Sequence, residues 1–500
     1  MTSRAKRAWG LGLLAWLALW GLRMVVMRAS GAGLHVDEAQ YWWWSTELAW
    51  GYYSKPPMIA ALIHASTTLF GDGLVGVRAL GMACWVAASA VMWRWGVAQG
   101  HSRAGWVAAL LLAATPLSGI LGLVVTTDGP LVLCWALAMA GTWAQWQHPP
   151  ASARSYWGRW CLLGVVFGLA LLSKYTALMM GPAWLLLWFV QAPGQHARWF
   201  WGMALASAVG LLMLSPNVWW NAANAWPTLQ HTLDITVRAG DASTSVANHV
   251  GSALGFLAGQ VFLLGPAAVS VAVLIWRQKR SPSALRADPA GWDRAIWHWT
   301  MAFAGPLLLV GLVQAARAKA QVNWAAPALV SLSWGLGWWA VRVGVSRRAL
   351  VTSVATGVAL SLVLALGGDL RRWVRDGELS ERNQWDVWAR MRGWHETLQQ
   401  LKLVRDAQDP RLPVVAAGRT TLTQVAYEWR DRPKPWSWND MGLVENHFDW
   451  WRHLNPEEHT DILYLGDEPP PRLMSVYPQA QLLASAHSGR VRLKLWHLRR

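Results

Sequence analysis

Long apolar runs dominate the first three quarters of the chain, and ordinary mixed sequence takes over after residue 368. A membrane span needs about 20 apolar residues. About eleven runs approach that length, starting near Ala8, Leu74, Ala104, Gly129, Trp160, Tyr175, Trp199, Gly251, Ala295, Asn323 and Ala349. The fifth and sixth abut at Ser173-Lys174. Three segments are too polar or too long to be mere turns: 29–73, 217–250 and the tail, 368–500. Within the first, MIAALIHASTTLF has a helical apolar face but is too short to span, so it predicts a helix lying along the bilayer. In the tail the pattern predicts a helix over 384–404, a strand at 412–418, a helix near 420–430 and strands at 461–465 and 490–496. The expected fold is therefore mainly α: a polytopic membrane domain over 1–368 and a small α/β extracytoplasmic domain over 369–500.

Composition supports the membrane reading. The chain is 54% hydrophobic and only 14% charged, with 41 tryptophans and a mean hydropathy of +0.22. A soluble protein this apolar lacks the polar surface to stay dispersed. The formal net charge of +17 invites a nucleic-acid partner, but its location argues otherwise. Residues 1–368 hold 24 basic against 9 acidic side chains, and the tail is nearly balanced at 20 against 18. The excess lies mainly in short loops between apolar runs, the signature of the positive-inside rule rather than of a basic binding face. Arg4, Lys6 and Arg7 place the N-terminus inside, and RQKR (277–280) is the strongest single vote. The three long polar segments then fall outside. The first run, interrupted only by Arg23, exceeds the ~7–15 apolar residues of a signal peptide and reads as a retained anchor. Cys84, Cys134 and Cys161 lie in apolar runs and read as small core residues.

Candidate chemistry gathers at the outer boundaries. The segment LHVDEAQYWWWSTELAWGYYSKPPMIAAL (34–62) carries Asp37-Glu38 and, 18 residues after Asp37, Lys55-Pro56-Pro57, with Trp42, Trp43, Trp44, Trp50, Tyr52 and Tyr53 between. For the tryptophans alone a membrane-interface belt is the simpler account. For Asp37 and Lys55 a functional one is better. A carboxylate at headgroup level can take a proton from a hydroxyl, and a lysine can hold a phosphate as a point charge. Asp128, in VVTTDGPL, lies on the same side by the charge count, and a helix cap is its plain alternative. Lys174-Tyr175 falls at another outer boundary, with snorkelling the plain account of the lysine. Arg317 and Lys319 run against the charge rule and call for an anionic ligand or headgroup. In LSPNVWWNAANAWPTLQHT, Asn217 suits either a Pro-Asn turn or sugar recognition.

Several chemistries lack their signatures. There is no Walker loop, no GxGxxG opening a helix after a strand, no HExxH and no GxSxG. His447 and His453, six apart, have poor zinc spacing and read as surface residues.

Taken in order, DEAQYWWWSTELAWGYYSKPP (37–57), Thr-Thr-Asp at 126–128, SKYTAL (173–178), PNVWWNAANAW (216–226) and KAQVNWAAPAL (319–329) resemble bacterial GT-C glycosyltransferases. The group is the family 39/83-like set, with the lipid A aminoarabinose transferases, lipopolysaccharide galacturonosyltransferases and, more distantly, protein O-mannosyltransferases. The resemblance covers about residues 1–370. It implies an inner-membrane enzyme that takes a monosaccharide from a polyprenyl-phosphate carrier and inverts its anomeric centre. The acceptor would be lipid A or lipopolysaccharide, another glycan or a protein. It implies Asp37 as the catalytic or acceptor-orienting aspartate and Asp128 as the second acidic position. Lys55 would lie near the lipid phosphate, and Lys174 would be the active-site lysine. Glu38, Tyr175, Asn217, Arg317 and Lys319 complete the candidate substrate-binding set. No cofactor is called for, no metal ligand is assigned, and the sequence leaves a divalent metal open. The rival function is a transporter or flippase of lipid-linked sugar, which predicts ionisable residues along a mid-membrane path.

Overall fold

A computed structural model describes residues 3–192, 194–238, 246–279, 291–318, 320–374, 386–442, 444 and 446–500. The chain forms two compact units. The first comprises Met1–Val25, Lys55–Ile59 and Arg78–Val363; the second comprises Val26–Ser54, Ala60–Val77 and Leu364–Arg500.

Helices account for the apolar runs: α1 (Ser3–Ala29), α2 (Val36–Ser45), α3 (Met58–Phe70), α4 (Leu74–Ala98), α5 (Ser102–Ala113), α6 (Pro116–Leu121), α7 (Asp128–Gln147), α8 (Ala153–Ser173), α9 (Met180–Phe189), α10 (His196–Ala223), α11 (Pro227–Leu233), α12 (Val246–Lys279), α13 (Trp292–Arg317), α14 (Ala328–Arg342) and α15 (Arg347–Val374). Among the described residues, seven are long and apolar enough to cross a membrane: those within Gly10–Ala29, Leu74–Ala98, Ala153–Ser173, His196–Ala223, Ala247–Lys279, Trp292–Arg317 and Arg347–Gly367. The protein is thus a mainly helical, multi-pass membrane protein. Of the other expected runs, the one from Gly129 lies in the continuous 20-residue helix α7, and those from Ala104, Tyr175 and Asn323 are helical but interrupted or short. The run from Ala104 breaks after Ala113, where Thr115 Oγ1 accepts from Ser118 N–H at 3.2 Å and caps a new helix opened by Pro116. The run from Tyr175 starts with a 3-10 turn, because Lys174 is extended (φ −163°, ψ 133°).

Packing in the first unit relies on small residues and stacked indoles. A Cβ on Gly164 of α8 would lie 2.7 Å from the Ala206 carbonyl of α10, so only glycine permits that approach. Trp95 stacks on Trp334 with centroids 3.7 Å apart. Arg23, the charge that interrupts α1, is buried, and its Nη2 donates to Ser118 Oγ at 2.7 Å. That bond partly compensates a guanidinium that is costly in an apolar setting.

The second unit contains a five-stranded sheet of order β2-β1-β3-β5-β4. Its strands are β1 (Val414–Ala416), β2 (Trp436–Ser437), β3 (Asp461–Gly466), β4 (Gln479–Ser488) and β5 (Val491–Arg499). Strand β1 is parallel to both β2 and β3, while β3–β5 and β5–β4 are antiparallel. Helices α16 (Trp394–Asp406), α17 (Arg419–Glu428), α18 (His447–Trp451) and α19 (Pro471–Val476) accompany it. The expected helix over 384–404 starts ten residues later. Asp386 holds a turn instead, accepting from Trp388 N–H and Arg392 Nε, each at 2.9 Å, and Gly393 (φ 86°) ends it. Residues 384 and 385 lie outside the described set. Strand β4 (QAQLLASAHS) escapes the pattern because it is a mostly exposed edge strand with no apolar alternation.

The tryptophans of α2 do not form a belt. Trp42, Trp43 and Trp44 are buried inside the second unit. Trp43 stacks on Phe448 at 4.3 Å, Trp44 on Tyr52 at 4.6 Å, and Trp42 meets Tyr427 edge-on at 5.1 Å. His447 is likewise buried among Trp43, Trp44 and Trp451, against the surface reading, because the rings that enclose it come partly from residues some 400 positions earlier.

Candidate active site

In the first unit, Asp128 is the first residue of α7 and is buried. Its side chain does not cap the helix. Oδ1 accepts from Lys174 Nζ at 2.8 Å and Oδ2 from Asn323 Nδ2 at 2.9 Å. Three break points thus meet at one carboxylate: the start of α7, the extended residue after α8, and the 3-10 turn Val322–Ala325. The lysine is mostly buried as well, so the pair is a charge-assisted contact with restricted access to water. Next to Lys174, Tyr175 Oη donates to Asn217 Oδ1 at 2.7 Å. Asn217 follows Pro216 inside α10 and is buried. One turn on, Asn221 accepts from Trp226 N–H at 2.7 Å through its carbonyl and from Thr228 N–H at 3.3 Å through Oδ1. These bonds hold Ala225 and Trp226 at φ 61° and 59°, a left-handed conformation that costs non-glycine residues of order 1 kcal/mol.

In the second unit, Asp37 sits in the first turn of α2. His35 is the N-cap. Its Nδ1 accepts from Asp37 N–H at 3.2 Å and lies 3.6 Å from Asp37 Oδ2. Glu38 is buried and accepts from His35 N–H at 2.9 Å, completing a capping box. Asp37 Oδ1 is held by Arg419 Nη2, while Arg419 Nε donates to Gln40 Oε1. Arg419 opens α17 directly after Gly418, and α17 packs on α2, with Gln424 Nε2 donating to Leu34 O at 2.8 Å. Asp37 and Arg419 both stay substantially exposed.

The remaining candidates are less tied. Lys55 is half-buried in the bend ahead of Pro56-Pro57 and α3. Arg317 is exposed in the last turn of α13, where a cation suits the helix dipole. Lys319 lies outside the described residues. Among the described residues no three His, Cys, Asp or Glu side chains group closely enough to hold a metal ion.

The fold matches a solved membrane protein over nearly its whole length. ArnT from Cupriavidus metallidurans, solved bound to undecaprenyl phosphate and in the apo state, superposes with a TM-score of 0.66, covering 99% of this chain and 98% of that one at 15% identity. The family model for dolichyl-phosphate-mannose-protein mannosyltransferases matches residues 54–220. Lipid A galacturonosyltransferase RgtD of Rhizobium johnstonii is 31% identical over 327 residues. The chain therefore shares the fold of ArnT and is similar in sequence to RgtD. The alignment covers 64% of this chain and spans 63% of that relative's length.

Within this fold, the residues that sequence reasoning did not single out are the partners of the two acids. Asn323 lies in the quoted KAQVNWAAPAL stretch, but nothing local ties it to Asp128, 195 residues away. Arg419 was also legible only in part. Gly-Arg after the VVAA strand marks a helix start, and the pairing with Asp37, 382 residues away, is purely tertiary.

Proposed function

We propose that the protein is an inner-membrane glycosyltransferase. It moves a monosaccharide from a polyprenyl-phosphate carrier to lipid A, lipopolysaccharide or another envelope acceptor on the periplasmic side. The observation that carries this reading is Asp37: a half-exposed carboxylate oriented by a capped helix and an arginine. The names of the relatives point the same way, one a lipid A galacturonosyltransferase and one solved with undecaprenyl phosphate.

The reaction follows from the chemistry of the donor. A prenyl phosphate is a good leaving group, so no general acid is required. With a hydroxyl acceptor, Asp37 takes the proton as the acceptor oxygen bonds to the anomeric carbon and the carbon–phosphate oxygen bond breaks from the opposite face, inverting the centre. With a phosphate acceptor, already anionic, Asp37 orients it. Lys174, held in place by Asp128 and Asn323, and Lys55 meet the negative charge that grows on the departing phosphate. Tyr175 and Asn217, with Glu38, Arg317 and Lys319, complete the proposed binding set. The N-terminus is assigned to the cytoplasm, and residues 369–500, with the loops 29–73 and 217–250, to the outside.

The test is a transfer assay in membranes supplied with a labelled prenyl-linked sugar. Wild-type protein yields labelled acceptor and free prenyl phosphate, and Asp37→Asn yields neither while remaining folded. Full transfer by Asp37→Asn overturns the assignment of Asp37. Movement of prenyl-linked sugar between leaflets without release of the carrier would establish the flippase instead.

A further inference from the structure

The amino ends of the three parallel strands frame a second feature of the C-terminal region. A cavity of about 340 Å3 lies among the loops that lead into β1, β2 and β3. Arg411, Arg432, Lys434, Arg452 and His459 line it, and Asp409 is the one carboxylate among its lining residues. Most of these cations already have a counter-charge. Arg411 holds Asp409 at 2.8 Å, Arg432 Nη2 lies 3.5 Å from Asp406, and Lys434 holds Glu47.

Arg452 differs. It has no carboxylate within 4.0 Å among the described residues. Its Nη2 donates to the Lys434 carbonyl at 3.1 Å, and its guanidinium lies 4.4 Å from the Trp436 ring centroid. Its Nε, closed off from solvent, has no hydrogen-bond partner among the described residues, and neither has His459 Nε2. Burial lowers the proton affinity of both Lys434 and Arg452 below that of an exposed lysine or arginine. The fold therefore half-buries a guanidinium against an indole beside a cation-lined space, and the carboxylate whose charge reaches it, Glu47, is already held by Lys434. A purely structural arginine would be expected to pair with a carboxylate there. A planar guanidinium braced on an aromatic ring, with an ammonium and further guanidinium groups near it, suits an anion of more than one charge.

We propose that this cavity binds a phosphate group, as a phosphomonoester or diphosphate, held chiefly by Arg452 and Lys434, with Arg411 and Arg432 completing the charge. The site does not depend on the transferase reading and stands or falls separately from it.

The experiment measures the apparent melting temperature of the purified full chain in detergent, with about 10 mM inorganic pyrophosphate or a soluble short-chain phosphatidic acid, against chloride at equal ionic strength. Mass action predicts a rise of about 2–4 °C with the phosphate ligands. The rise shrinks by at least half in Arg452→Gln and in Arg411→Gln, the second being an exposed residue whose loss leaves the fold intact. Equal rises with both probes assign recognition to the phosphate group alone, and a rise with the phosphatidic acid only assigns it to a lipid headgroup. No rise beyond chloride in the wild type, or an undiminished rise in both variants, overturns the proposal.

Discussion

Two acid–cation pairs stand at the candidate sites, and they are built in opposite ways. Asp128 and Lys174 in the helical unit have side chains only 2% and 15% exposed, and Asn323 occupies the second carboxylate oxygen. Asp37 and Arg419 in the other unit are 41% and 38% exposed. A buried pair gains from low dielectric but costs several kcal/mol per ion to desolvate, so removing one member leaves the other stranded. A half-exposed pair is screened by water and contributes about 0–1 kcal/mol. Stability thus depends more on the first pair, and on the proposed reading the second exchanges its partner for a substrate. A carboxylate beside a cation is a fixture in one place and, on the proposed reading, a working contact in the other.

The contrast can be broken most directly at Asp37. On the proposed reading, Asp37→Asn lowers transfer by about 10²–10⁴-fold, the usual range for a lost general base, with little change in melting temperature. A large stability loss without a rate effect would reverse the roles of the two pairs. Asp128→Asn should do the converse first: about 3–5 kcal/mol of stability lost, read from denaturant unfolding, because Lys174 is left charged and buried. Adding Lys174→Met should restore most of that stability without restoring activity.

A pH titration sharpens the comparison from outside both pairs. Burial, with the charge of Lys434 adding to it, pushes the His447 imidazole down to about 3. In the unfolded chain it titrates near 6.5. Below that value the unfolded state takes up a proton that the folded state refuses. The stability from this residue is therefore complete above pH 6.5 and is lost as pH falls toward 3, by about 1.4 kcal/mol per unit at the steepest. His447→Leu should remove this part of the acid sensitivity, measured as the pH dependence of unfolding. At the small end, Tyr175→Phe deletes the bond to Asn217 and should cost about 1 kcal/mol. Arg419→Gln should cost less than about 1 kcal/mol of stability, while transfer falls by about 10–100-fold as Asp37 loses its alignment. Equal effects of Arg419→Gln and Asp128→Asn on stability would erase the distinction drawn between the pairs.

The legible part of the fold was what repeats locally. Apolar runs mark the helices, and VVAA, DILYL and RVRLKLW mark three strands, because burial imposes a period on neighbouring residues. What the sequence concealed depends on distance. Asp37, Asp128, Lys174 and Asn217 stand out as polar residues at span boundaries, but their partners are remote in sequence. Trp42–Trp44 read as a membrane belt because the rings that cover them, Tyr427 and Phe448, come from the far end of the chain. Pro116 and Lys174 interrupt helices without interrupting hydropathy, so the apolar runs from Ala104 and Tyr175 did not show where their helices break.

The interleaving of early and late segments in the second unit has a consequence for synthesis. Leu34 receives its hydrogen bond from Gln424, 390 residues further on. At about 5–20 residues per second, the ribosome delivers that partner some 20–80 seconds after the tryptophan-rich helix has emerged. During that interval three large indoles are without their lasting cover, so a truncation near residue 400 would leave a membrane protein whose earliest loop stays sticky and open to proteases.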